Sequence, residues 1–376
     1  MDRGQAQSPT VPRGLKVRLL GWRNRIVGSR AFQRHAAANP LLRPIARRRA
    51  GALFDLVAGF VYTQVLLAMV EGGLVDWLGK GAASTADLAD QAGLGEEAAH
   101  RLLLAASAIG IVEEVGPRGE GAWWMLGRHG AALHGNEGAL AMIRHHRLLY
   151  ADLADPLALL RQDRAESTAL SRFWSYAGSE QTAEEGEASA YSRLMSASQA
   201  AVSDEVLSAY DFARHESLLD VGGGHGTFLS AVGARHPGLR LGLFDLPEVV
   251  SRLGGGRIVT QPGSFFESDL PRGYDCISLV RILHDHDDEP AQRILANIHA
   301  ALEPGGTLVL AEPMAGTRGA EAMGDGYFGL YLWAMGQGRP RTPAEIQAML
   351  AASGFARSRR IATRQPLITS LIVAQA

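Results

Sequence analysis

From residue 217 to the end of the chain, short apolar runs alternate with stretches of helical periodicity. The runs at 218–221, 239–244, 276–283 and 307–311 are almost continuously apolar, the pattern of parallel strands covered on both faces. Between them, 228–235 and 290–302 space their apolar residues as helices do. This alternation predicts an α/β domain with a doubly wound, Rossmann-like sheet. Two last runs, 355–361 and 367–374, are joined by a short polar connection and predict a terminal hairpin. Upstream the pattern is different. Thr85-Ala86-Asp87-Leu88-Ala89 opens a helix, Gly93-Leu94-Gly95 turns, Glu96 to Ile109 forms a second helix, and 111–115 can pair with 122–126. That is the outline of a winged helix-turn-helix. Residues 136–210 are helical in pattern. The most apolar long stretch, Leu56 to Val70, runs fifteen residues and contains Thr63 and Gln64. A bilayer span takes about 20 apolar residues, so a buried core or dimer helix is expected there.

The first strand of the sheet delivers Asp220 into a glycine loop, Asp220-Val-Gly222-Gly-Gly224-His-Gly226. Glycines two apart let the backbone turn tightly, take positive φ and lie bare against a ligand before a helix begins near Thr227. A dinucleotide site would place a third glycine at Thr227, to pack the helix behind a pyrophosphate. The form Asp-x-Gly-x-Gly-x-Gly instead suits S-adenosylmethionine, which has no phosphate to cradle. An ordinary strand-to-helix connection is the competing reading of the loop alone. Asp245 ends the second run, about 20 residues later, where an acid can accept both hydroxyls of a ribose; capping of the helix at Pro247 is its structural alternative.

Asp220 to Gly226, Phe244 to Val249, His284-Asp285 and Leu308 to Pro313 together resemble the S-adenosylmethionine-dependent O-methyltransferases of the caffeic acid and hydroxyindole type. Ala50 to Tyr62, Met142 to His146, Leu149 to Pro156 and Ala311 to Gly316 are similar to their bacterial branch acting on acyclic hydroxycarotenoids of the demethylspheroidene or hydroxyneurosporene type. The resemblance implies a class I methyltransferase domain behind an α-helical, winged-helix dimerisation domain. It implies His284 as the general base, with Glu312 on the next strand fixing its tautomer. The family's second flanking carboxylate has no counterpart, since Arg339-Pro340-Arg341-Thr342 stands in its place. Ser264 stands where an Asp commonly meets adenine, Phe265 and Phe266 keep apolar neighbours for the ring, Val280 replaces a family lysine, and His286 replaces an aromatic residue. The implied layout is a basic arm at 1–50, the winged-helix dimerisation domain at 51–135, a helical acceptor-pocket segment at 136–210 and the S-adenosylmethionine-binding domain at 211–376. Met142, His145, His146, Tyr150, Phe173, Trp174, Tyr191 and Met195 are candidates to line the acceptor pocket, with core packing as the plainer role for each.

The stretch Gly326 to Met335 is strongly apolar. Met335 stands where phenol-methylating plant relatives place an Asn, which favours a greasy acceptor. A tertiary hydroxyl on an acyclic carotenoid fits; a phenol or polyketide hydroxyl is the alternative. The cluster His284-Asp285-His286-Asp287-Asp288 could in principle ligate Zn²⁺ or Mn²⁺. Alternating loop residues point apart, and Asp287 and Asp288 suit a helix start, so no metal is expected.

Composition narrows the remaining classes. The single cysteine, Cys276, falls within a strand run, which excludes an intramolecular disulfide and suits a reducing cytoplasm. Met1 to Pro12 has no apolar signal segment. The net charge is −2, yet 12 of the 37 Lys and Arg lie within 1–50, against the single acid Asp2. Leu15 to Ile26 mixes Leu, Val, Trp22 and Ile with Lys16, Arg18, Arg23 and Arg25, a pattern suited to the inner face of an anionic membrane or to pairing of the arginines with the acidic body of the chain or a second subunit. A non-catalytic S-adenosylmethionine-responsive regulator reading DNA is the third possibility. The second helix of the winged module, with Glu96, Glu97, His100 and Arg101, lacks the positive surface that phosphates require, so nucleic acid is not expected.

Overall fold

The computed structural model describes residues 14–116, 122–164, 166–178, 185–251, 256–267 and 269–376, with the backbone alone at 175–178, 185–193 and 195–196. The side chains of Tyr191 and Met195, and the start of the basic arm, lie outside the described residues. The first half is helical: α1 Leu15–Gly28, α2 Arg30–Ala38, α3 Arg43–Glu71, α4 Leu74–Leu78, α5 Thr85–Ala92, α6 Glu96–Ala108, α7 Arg128–Leu133, α8 Glu137–Asp152, α9 Pro156–Arg161, α10 Ala169–Gly178 and α11 Glu185–Ala209. Three short strands, β1 Ala83–Ser84, β2 Val112–Val115 and β3 Trp123–Leu126, form a sheet in the order β1-β3-β2. With α5 and α6 they make the winged helix read from the sequence. Ser84 and Asp87 form a capping box at the start of α5, satisfying two orphan donors reciprocally. Trp124 is fully buried, and its indole N–H donates to Thr85 Oγ1 at 2.9 Å, tying wing to helix.

The second half alternates: β4 Ser217–Val221, α12 Thr227–Arg235, β5 Arg240–Asp245, α13 Pro247–Val250, β6 Ile258–Pro262, β7 Cys276–Val280, α14 Asp288–Ala301, β8 Thr307–Glu312, α15 Phe328–Met335, α16 Pro343–Ala352, β9 Arg357–Ile361 and β10 Ser370–Gln375. They build a seven-stranded sheet in the order β6-β5-β4-β7-β8-β10-β9, with β10 antiparallel to β8 and β9. β4, β7 and β8 are buried at every position, as their continuous apolar runs require. One face carries a core that includes Ile294, Leu295 and Ile298 of α14 and Leu350 of α16; the other carries Val206 of α11 and Phe228 of α12. The order reverses between β4 and β7, the switch point where open α/β sheets open a crevice at the carboxyl ends of their strands.

Two expectations need correction, and one strand went unread. The run 276–283 is a strand only to Val280; Leu283–Asp285 is a turn of 3₁₀ helix. The half-exposed edge strand β6 lacks the continuous apolar run by which its neighbours are legible. The apolar stretch Leu56–Val70 belongs to a 29-residue helix in which only Leu67, Met69 and Val70 are buried, so it is not a core helix of this chain. Among the described residues α3 is the one helix long and apolar enough to cross a membrane.

Leu310 sits at the centre of β8, opposite Leu279 on one side and Ile372 on the other, with no exposed surface. Leu310→Ala is expected to destabilise the chain by about 3 kcal/mol through lost burial and the cavity left behind, seen as a lower urea midpoint at unchanged slope.

Candidate active site

The glycine loop leaves β4 with Gly222, Gly224 and Gly226 all at positive φ (70°, 56° and 69°). A Cβ at Gly222 would stand 2.7 Å from Ile282 Cδ1 and 3.6 Å from the Phe265 ring, whereas one at Gly224 would meet open space. The loop is thus packed against protein on one side and bare on the other, the shape a flat ligand needs. Asp220 lies beneath it, buried, with Oδ1 accepting from Ser278 Oγ at 2.6 Å and Oδ2 without a partner. Burial pushes its pKa up to about 7 against that hydrogen bond, with the Asp245 charge adding to the rise. An orphaned buried carboxylate oxygen beside a bare loop fits a ligand that brings an ammonium group, as the methionine part of S-adenosylmethionine does.

Asp245 ends β5 and accepts from the backbone N–H of Gly224 and of Leu246, each at 2.7 Å. Both oxygens keep a lone pair for ribose hydroxyls. Burial raises its pKa, and the two amide bonds oppose the rise. Leu246, not Asp245, takes the cap position of α13. Beyond β6, Ser264 Oγ accepts from Phe266 N at 3.2 Å and so organises the turn that carries Phe265. Phe265, Phe266 and His286 meet edge to face, with ring centroids 5.6 and 5.2 Å from the histidine to each phenylalanine. Burial lowers His286 to about 4, so it is a neutral ring in an aromatic cluster beside the loop.

The fold brings His284 and Glu312 together. β7 and β8 are parallel neighbours in register, Val280 opposite Ala311. The chain leaving β7 therefore turns directly over the last residue of β8. Glu312 Oε1 accepts from the amides of Ile282 (3.0 Å) and Leu283 (2.7 Å), and Oε2 holds His284 Nδ1. With Nδ1 carrying the proton, Nε2 is the basic nitrogen. Asp285 Oδ1 lies 3.1 Å from that Nε2, so a second carboxylate flanks the ring after all, supplied by the next residue rather than from the 339–342 segment. Burial alone would lower the pKa of His284, but the charges of Asp285 and Glu312 outweigh it and the net shift is upward. Phe328 closes the side of the ring, edge-on at 5.6 Å.

Sequence reasoning missed three residues. Arg341 is buried and donates to the carbonyls of Leu283 and His286, both at 2.8 Å, while pairing with Asp288 at 2.8 Å. Its two carbonyl partners flank His284-Asp285 in the chain. Arg281 adopts φ 59°, the one positive value at a described non-glycine residue, and its guanidinium bonds Ser198 Oγ at 2.8 Å. Such a conformation costs about 1–3 kcal/mol and persists where surrounding structure enforces it, most often at functional sites. Asp285 was visible only as half of a His-Asp pair. Asp287 and Asp288 were expected to serve the start of α14; Asp287 stands at its cap position but makes no cap bond, accepting instead from Gly338 N and pairing with Arg164, while Asp288 pairs with Arg339 and Arg341. No group of three or more metal-ligating side chains converges among the described residues.

Comparison with known proteins places this geometry. The O-methyltransferase domain model matches residues 150–356. Demethylspheroidene O-methyltransferase of Rhodobacter capsulatus is 42% identical over 339 residues, covering 89% of this chain and 84% of that protein. The enzyme of the same name from Cereibacter sphaeroides is 39% identical, covering 98% of each chain. Among solved structures, human N-acetylserotonin methyltransferase in complex with SAM superposes with a TM-score of 0.74 at 23% identity, covering 87% of this chain and 97% of that one, which shows the shared fold. CalO1, a methyltransferase of calicheamicin biosynthesis in its SAH-bound form, superposes with a TM-score of 0.73 at 27% identity, covering 87% and 98%. The chain belongs to the S-adenosylmethionine-dependent O-methyltransferase family.

Proposed function

We propose that this enzyme methylates the tertiary hydroxyl of an acyclic hydroxycarotenoid, with His284 as general base. The observation that carries the acceptor is the near full-length similarity to two demethylspheroidene O-methyltransferases, together with the apolar wall that Tyr327 to Met335 sets beside His284. When bound, S-adenosylmethionine supplies an electrophilic sulfonium methyl and a neutral thioether leaving group. Asp220, Gly222 and Gly224 would hold its methionine end, Asp245 its ribose, and Ser264 and Phe265 the adenine side. His284 Nε2 takes the hydroxyl proton as the oxygen becomes nucleophilic, and Glu312 compensates the imidazolium that forms. The acceptor hydroxyl displaces Asp285 from Nε2 as it docks. A tertiary alcohol is far less acidic than a phenol, so close, in-line placement supplies much of the acceleration.

The same reading extends to the surroundings of the site. It divides the chain into a basic arm at 1–50, a winged-helix dimerisation domain at 51–135, an acceptor-pocket segment at 136–210 and the cofactor domain at 211–376. The exposed Leu53, Phe54, Leu56, Val57 and Phe60 of α3 support a homodimer, since so much apolar surface is seldom left to water. Exposed Leu15, Leu19 and Trp22 among the α1 cations, followed by Arg47, Arg48 and Arg49, support peripheral attachment of this cytoplasmic enzyme to an anionic inner membrane face, where such an acceptor dissolves.

The direct test offers the purified enzyme S-adenosylmethionine with a detergent-solubilised hydroxycarotenoid and, separately, a panel of phenols, with products read by mass spectrometry. Methylation of the carotenoid is expected; methylation of phenols alone would reassign the acceptor. His284→Ala is expected to lower kcat by roughly 10²–10⁴ while calorimetry finds nearly unchanged S-adenosylmethionine affinity. Because His284 must be neutral to accept a proton and its pKa is raised, kcat/KM should climb with pH through a midpoint above the ordinary histidine value and then level off. Asp285→Asn removes one of the charges responsible, so the acidic limb of that profile should move to lower pH; a limb that stays put would exclude Asp285 from setting the base.

A further inference from the structure

Tyr327, Phe328 and Tyr331 form one aromatic face next to the catalytic histidine. Tyr327 and Tyr331 stack with centroids 5.6 Å apart at 29°, and Phe328 packs edge-on against Tyr327 at 5.1 Å and against His284 at 5.6 Å. Residues 322–327 form a turn of π-helix running into α15, an irregularity common at functional sites. A wall carrying two phenolic hydroxyls ought to be polar. Both hydroxyls, however, are engaged from behind by consecutive histidines of α8. Tyr331 accepts from the Trp174 indole N–H at 3.1 Å and shares a 2.7 Å hydrogen bond with His145 Nε2, so its hydroxyl has two partners on α8 and α10. Tyr327 lies 2.9 Å from His146 Nε2 and 3.6 Å from Met142 Sδ, which lets its hydroxyl accept from the histidine and donate to the sulfur. His145 is buried and packs on Phe173 at 4.7 Å. Burial holds both histidines below the ordinary histidine value, His145 at about 4, so near neutrality they are uncharged hydrogen-bond partners and bring no cation to the wall.

We propose that His145 and His146 are specificity-determining positioning residues: by holding the Tyr331 and Tyr327 hydroxyls against α8, they leave the partly exposed Tyr327 and Phe328 as an aromatic surface beside His284 that selects a long, apolar, conjugated chain over a hydroxylated ring. This rests on the hydroxycarotenoid reading above and adds the device that enforces it. A hydroxyl turned toward a hydrocarbon chain sheds its water and gains no bond in return, which penalises the apolar acceptor. The same free hydroxyl would reward a phenol or amide, because hydrogen-bonding groups in a pocket discriminate strongly between partners that can and cannot answer them.

The test is a double-mutant cycle on the more accessible pair. Tyr327→Phe keeps the ring and supplies a background without the hydroxyl, whereas Tyr327→Ala should raise KM for the hydroxycarotenoid about tenfold. His146→Ala frees the Tyr327 hydroxyl and should raise that KM about fivefold, and His146→Gln, which returns a donor near the Nε2 position, should recover most of the loss. In the Tyr327→Phe background there is no hydroxyl to release, so adding His146→Ala should cost nothing further. An equal penalty in both backgrounds would show that His146 acts only as packing and would overturn the proposal, as would a Tyr327→Ala enzyme with unchanged KM. Calorimetric S-adenosylmethionine affinity equal to wild type certifies the fold of each variant. Turnover of the hydroxycarotenoid by wild type tests the acceptor assignment before any variant is made; wild-type turnover of phenols alone overturns both, whereas carotenoid turnover with no coupling in the cycle overturns the histidine pins alone.

Discussion

Glu312 is the carboxylate on which the site depends. Taking a carboxylate out of water is costly unless its lone pairs are answered, and here they are answered by two backbone amides and an imidazole. Those three partners are consecutive residues, 282 to 284, so one side chain both shapes the turn after β7 and fixes the histidine tautomer. The arrangement is available because β7 and β8 are parallel, adjacent and in register. Arg341 holds the same turn through the carbonyls of Leu283 and His286. The turn that carries His284 is thus gripped by its amides and by its carbonyls at once.

Charge in the site is distributed by strand order. Asp220, Asp245 and Glu312 come from β4, β5 and β8, and Asp285 from the turn after β7, so four carboxylates line the carboxyl edge of one sheet. Their burial raises Asp220, Asp245 and Asp285, a state that a cationic ligand relieves. Arg281 is the counterweight, held in a strained backbone conformation between the two regions. Its positive field opposes the rise of His284 that Asp285 and Glu312 produce.

The stretch at 327–335 follows a different rule. Where the glycine loop and the strand ends bring carboxylates and bare backbone, 327–335 is aromatic and aliphatic, and the hydroxyls of Tyr327 and Tyr331 meet side chains of α8 and α10. The exposed apolar half of α3 and the arginines before it lie outside this architecture. They are surface whose chemistry points to partners beyond the single chain.

The sequence by itself determined the alternating sheet and the glycine loop. Buried parallel strands must be apolar throughout, and a tight turn at positive φ must be glycine, so both constraints are written in consecutive residues. Asp245, His284 and Glu312 were legible because each ends a strand or follows one, and Asp220 because it is the acid in an apolar run that leads into the glycine loop. The tertiary structure alone decided what reaches the imidazole. The Pro340 segment suggested a missing carboxylate, yet Asp285 stands at Nε2, because a 3₁₀ turn folds residue 285 back over residue 284. Arg341, 57 residues further along, was invisible as a clamp, since nothing local to it records which carbonyls it will meet. The same holds for the pins His145 to Tyr331 and His146 to Tyr327, contacts 186 and 181 residues apart in the chain. Local periodicity records which face of a helix is apolar; which side chains meet across that face is set only when distant helices pack.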